Sequence, residues 1–136
     1  MFSSLDVSTS GLMAQRARLN AISSNIANMS TTRNERGELE PYQPRYVTFQ
    51  TDTSLTTSGG GAGVKIGGVE VSHEPPRLKY EPGNPDADKS GFVHYPAIDM
   101  TGEFVDALEA TRSYEANIGV IEITKDMANQ ALRILA

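Results

Sequence analysis

The sequence contains no cysteine, which excludes disulfides, thiol catalysis and thiolate metal sites outright. Histidine is nearly absent too: His73 and His94 are the only two, and neither has metal-ligand spacing to a second, so both read as exposed loop or strand positions. The serines form no Gly-x-Ser-x-Gly elbow, and Gly59 to Gly63 lead into no Gly-Lys-Ser or Gly-Lys-Thr, which leaves no nucleophile and no phosphate cradle. The chain is therefore expected to be no enzyme, with no cofactor, no metal and no small-molecule substrate. A net charge of -5, with Arg16 and Arg18 as the closest thing to a basic patch, argues against nucleic acid. No apolar run approaches the roughly 20 residues of a membrane span. The N-terminus MFSSLDVSTSGLMAQRA lacks the basic stretch and apolar core of a cleaved secretory signal.

What is present is a seven-residue apolar ladder at each end. Leu5, Leu12, Leu19 and Ile26 recur at intervals of seven, with Ile22 and Met29 three residues after the last two. Phe104, Ile118 and Leu132 fall on one C-terminal ladder, and Ala107, Tyr114, Ile121, Ala128 and Leu135 on its companion. Spacing alone fits an intramolecular helical hairpin as well as intermolecular packing. Polar residues in the stripes, Ser8, Gln15, Thr111 and Lys125, tip the balance to assembly, because such positions weaken a simple pair and specify register or partner.

The fold class predicted is α+β: long N- and C-terminal helices packed in coiled-coil fashion, with a small β-rich domain between them. A helix should run from about residue 4 or 10 to about 29, capped by Ser8, Thr9 or Ser10 and stopped near Thr31. Tyr46 to Gln50 alternates as a strand, TDTSLTTSGGGAG reads as a loop, and VKIGGVEVS as a strand bent at its glycine pair. A further strand carries Leu78 and Tyr80, and EPGNPDADKSGFVHYP reads as irregular. Within it, Asp86, Asp88, Ser90 and Gly91 open like a calcium loop, but Ala97 stands where the closing glutamate belongs, so a solvated turn is expected. The Asn28-Met29-Ser30 tripeptide reads as a helix end, not a glycosylation site. Asp99 should cap a helix from about Met100 to Leu135, on the order of 50 Å long and weakened only at Gly102 and Gly119. The segments are thus 1–32, helical; 33–99, β-rich and loops; and 100–136, helical.

The stretch SGLMAQRARLNAISSNIANMSTTR resembles the N-terminal signature of the bacterial flagellar rod, hook and filament-joining axial proteins. TTRNERGELEPYQPRYVTF, YEPGNPDAD and EFVDALEATRSYEANIGVIEITKDMANQAL narrow the resemblance to the proximal rod members of that family, and it runs over nearly the whole chain. Met29 stands where the family usually has a small residue. The resemblance implies a structural subunit of the flagellar basal body. It implies export without signal cleavage by the flagellar type III apparatus, and a place in the periplasm-spanning rod that transmits torque to the hook and encloses the export channel. The implied partners are proximal and distal rod subunits, copies of the chain, and the inner-membrane ring with its rod adaptor. Leu12, Leu19, Ile22 and Ile26 should pack against Phe104, Ile118, Ile121, Leu132 and Leu135 within and between subunits, while Asn20, Asn25, Asn28, Arg112 and Asn117 should bond neighbours. A soluble coiled-coil adaptor or export chaperone is the alternative reading.

Overall fold

The computed structural model describes residues 2–135 and is α+β, with a long helix at each end and antiparallel hairpins between. Helix α1 (Phe2–Ala27) begins earlier than the serine caps suggested. It ends where asparagine and threonine compete for the backbone: the Asn28 side-chain amide donates to the Ser24 carbonyl at 2.9 Å, and the Thr31 hydroxyl donates to Asn28 Oδ1 at 3.1 Å. Helix α2 (Met100–Leu135) opens on Asp99, whose carboxylate accepts the backbone N–H groups of Thr101 and Gly102 at 3.2 and 3.1 Å.

The helices run antiparallel. Asn25 meets Glu103, Arg18 meets Asp106 and Glu109, and Gly11 lies against Asn117. At Gly11 an added Cβ would stand 3.0 Å from the Asn117 amide, so the missing side chain is what lets the two helices approach there. With 36 residues against 26, α2 exceeds its partner by roughly 15 Å at the helical rise.

Strands β1 (Arg45–Thr56) and β2 (Ala62–Val71) form the larger hairpin. Thr48 pairs with Gly68 and Phe49 with Ile66, which leaves Gly67 as the extra residue of a bulge, the irregularity expected of the glycine pair. The stretch read as a loop from Thr51 is instead strand as far as Thr56, and only the tip turns, with Gly60 at φ 82°. Threonines supply β-branched strand formers there, but the segment has no apolar face, so no alternation marks it as strand. Strands β3 (Arg77–Tyr80) and β4 (Phe92–Tyr95) make a second hairpin, the latter inside the segment read as irregular. Four residues are too few for periodicity to register; cross-strand pairing fixes them, with the Tyr80 and Phe92 rings edge to face at 5.3 Å.

The core is thin. Among the described residues its buried apolar side chains include Ala14, Ile22 and Ala110 in and beside the helix pair, and Val93, Pro96 and Ile98 at the second hairpin.

Candidate assembly surface

Among its described residues, helix α1 has a single open stripe. Asp6, Thr9, Met13, Arg16, Asn20, Ser23 and Ala27 are exposed at spacings of three and four, and only Met13 among them is large and apolar. The other sides are covered by α2 and by the first hairpin, where the Ser10 hydroxyl accepts the Val64 N–H at 3.0 Å. Because α1 is flanked twice, its most buried line is Ser8, Ser10, Ala14, Ile22 and Asn25, while Leu5, Leu12, Leu19, Ile26 and Met29 are partly covered.

Helix α2 behaves differently. Among its covered positions, Glu103, Ala107, Ala110, Tyr114, Asn117, Ile121, Thr124 and Ala128 form a heptad stripe made of the companion ladder and a small or polar line beside it. Phe104, Ile118, Leu132 and Leu135 were expected to pack on α1 and do not. Phe104 and Ile118 are exposed because the close approach at Gly11 seats the smaller line at the seam and turns the bulkier ladder outward, and Leu132 and Leu135 because α2 outruns α1 there. A further apolar line, Val120, Ile123, Met127 and Ile134, escaped the sequence reading altogether; Ile123 is 63% and Ile134 86% exposed. Its signal was present, since Val120, Met127 and Ile134 also recur every seventh residue. Half of α2 is thus apolar on more sides than one partner helix can cover.

The polar candidates separate. Asn20 and Arg112 face solvent. Asn28 bonds its own helix end, and Asn117 donates to the Ser113 carbonyl at 2.9 Å. Asn25 lies inside the subunit: it is 0% exposed, and its amide donates to the Arg45 carbonyl at 3.0 Å and to Glu103 Oε1 at 3.1 Å. Its Oδ1 accepts the Arg45 N–H at 2.9 Å and the Tyr42 hydroxyl at 3.2 Å. One side chain therefore joins α1, the start of β1 and the first turn of α2, with every amide valence used. Its partner Glu103 is only 6% exposed. Burial pushes the Glu103 carboxyl above its ordinary range, against the pull of the Asn25 bond, and Asp106 and Asp99 add to the rise.

A second junction brings together two segments distant in sequence. The Thr32 hydroxyl donates to Asp86 Oδ2, and the Arg33 guanidinium reaches Asp86 Oδ1 with Nε at 2.8 Å and a terminal nitrogen at 2.6 Å. These bonds, that of Thr32 foremost, hold the Asp86 carboxyl below its ordinary range. Asp88 Oδ1 accepts the Ser90 and Phe92 N–H groups at 2.8 and 3.0 Å, so both aspartates of the loop serve to shape it.

Residues 5–33 match the family described as Flagella basal body rod protein, and residues 89–134 the family described as Flagellar basal body rod FlgEFG protein C-terminal. Over nearly full length the chain is similar to proteins named Flagellar basal-body rod protein FlgC. Identity is 38% to that of Borreliella burgdorferi, over 99% of this chain and 97% of the relative. It is 41% to that of Salmonella typhimurium, over 95% and 93%, and 40% to that of Bacillus subtilis, over 98% and 97%.

The chain belongs to the FlgC family.

As a FlgC-family chain it is a structural subunit of the flagellar basal-body rod, assembling with other components of that structure. The two matched blocks fall on the two helices and their flanks, so the open apolar lines of α2 belong to the segment that matches the rod-protein family. The Thr32, Arg33 and Asp86 junction joins the TTR and PGNPDAD elements: one holds the other.

Proposed function

We propose that this chain is a subunit of the proximal rod that polymerises through its terminal helices into the periplasm-spanning drive shaft, transmitting torque from motor to hook and enclosing the export channel. The observation that carries this reading is the unpartnered face of α2. An apolar stripe exposed over several turns of one helix is costly in water and is covered on assembly. Delivery belongs to the flagellar type III export apparatus. The neighbours are proximal and distal rod subunits, further copies of the chain, and the inner-membrane ring with its rod adaptor.

The test is a double substitution on the open apolar line of α2, Val120→Asp with Ile123→Asp. The purified variant keeps wild-type helicity, because both positions are exposed in the monomer. Cells relying on it lose swimming, and the chain is missing from their basal bodies. Normal motility of that strain would sink the proposal. A stable discrete oligomer of the wild-type chain in solution would favour the adaptor reading instead.

A further inference from the structure

Gly119 stands in the middle of α2, and a Cβ added there would meet nothing within 4 Å. Glycine weakens a helix interior relative to alanine, and nothing inside the subunit accounts for this one. At Gly11 the account is Asn117, which comes too close for a side chain. Gly119 follows Asn117 by two positions and so lies on the far flank of α2, away from the seam. On that flank Arg112, Glu115, Glu122, Asp126 and Arg133 continue its line at spacings of three and four. All five are exposed, and none forms an ion pair with a described residue.

Whatever covers this flank has to be polar, because an apolar partner would strand its charges. The open stripe of α1 is such a surface with the same spacing, and Thr9 and Met13, two positions either side of Gly11, place it on the opposite flank of the helix pair. Laid antiparallel with Asn20 over Gly119, the stripe of a second copy sets Arg16 opposite Glu122 and Asp6 opposite Arg133, with no like charges facing. Asparagine on glycine then repeats between copies the contact that Asn117 and Gly11 make within one. The same register brings Ser4 of the neighbour level with Leu135, so its α1 runs beside the length by which α2 outruns its own partner. Resting on the rod reading above, we infer that the flank of α2 around Gly119 receives the open α1 stripe of a second copy of this chain. A parallel register would also pair charges, Asp6 with Arg112 and Arg16 with Glu122. Because α1 and α2 are antiparallel within a subunit, that register turns alternate copies upside down, whereas a shaft from motor to hook has one direction. The antiparallel register keeps all copies pointing the same way and leaves each a free flank for the next, so the row continues.

The chain has no cysteine of its own, so single introduced cysteines report the contact directly. Thr9→Cys and Asn129→Cys fall opposite each other in the antiparallel register, and both positions are exposed. Basal bodies from cells co-expressing the two variants are treated with a short thiol cross-linker. A dimer of the chain is expected from the mixture and from neither variant alone. Should either variant fail to incorporate, Ser23→Cys with Glu115→Cys reports the same register. Adding Arg16→Glu to the Thr9→Cys chain should lower the yield about ten-fold, and adding Glu122→Arg to the Asn129→Cys chain should restore it. Gly119→Leu fills the notch: the purified variant should melt no lower than the wild type, while its incorporation into basal bodies falls about ten-fold. Basal bodies that hold both cysteine variants and give no dimer overturn the inference and leave the rod reading intact. So do an Asn129→Cys chain that links only to a different protein or to Ser23→Cys, a yield that ignores the charge exchange, and normal incorporation of Gly119→Leu. Absence of the wild-type chain from basal bodies would count against the rod reading itself.

Discussion

Two side chains hold disproportionate control over the subunit. Asn25 makes four hydrogen bonds from a fully buried position, so Asn25→Ala strips the partners of Arg45, Tyr42 and Glu103 together and opens a small void. A loss of about 2–4 kcal/mol is expected in urea unfolding of the purified chain. Glu103 works the other way. Its carboxyl is raised in the folded state, so the stability it contributes is full below the ordinary carboxylate range and is lost as pH rises through the raised value. Glu103→Gln keeps an oxygen for the Asn25 amide and removes the buried charge. Its melting temperature should therefore exceed that of the wild type by roughly 2–5 °C at pH 7 and converge with it near pH 4. A wild-type-like melt at neutral pH would show that the charge is solvated after all.

At the scale of elements, the helix pair depends on Gly11. Gly11→Val places branched carbons where a single Cβ already meets Asn117 at 3.0 Å, and so pushes α1 and α2 apart. A destabilisation of about 1–3 kcal/mol is expected, with thermal melting as the readout. The loop between β3 and β4 depends on Asp86, whose lowered carboxyl contributes stability above the ordinary carboxylate range that is lost as pH falls. Asp86→Asn should speed amide hydrogen exchange over residues 31–39 and 81–91 and leave α2 unchanged; uniform exchange in wild type and variant would refute the junction.

The same elements show what the sequence could tell. Helix α2 was legible to within its boundaries because thirty-six residues of helix-forming composition follow a clear cap. Strand β4 and the outer half of β1 were not, since one is too short for periodicity and the other has no apolar face. Both ladders were visible, yet which face of α2 would meet α1 was not, because Gly11 decides it through a contact 106 residues away in sequence. Asn25 was picked out by its residue type as a bond to neighbours, but its burial depends on Tyr42 and Arg45 folding over it.

At the scale of the molecule, few large side chains are buried and many are open, so the isolated chain is an incomplete packing problem that neighbours finish. The long hairpin adds a mechanical consequence. It is pinned to α1 at two places, at Arg45 by Asn25 and at Val64 by Ser10, and its tip at residues 57–61 projects past the second. That is an overhanging beam on two supports. A sideways load on the tip presses one support and pulls at the other, so strain applied near Gly60 is felt as tension in the hydrogen bonds of Asn25.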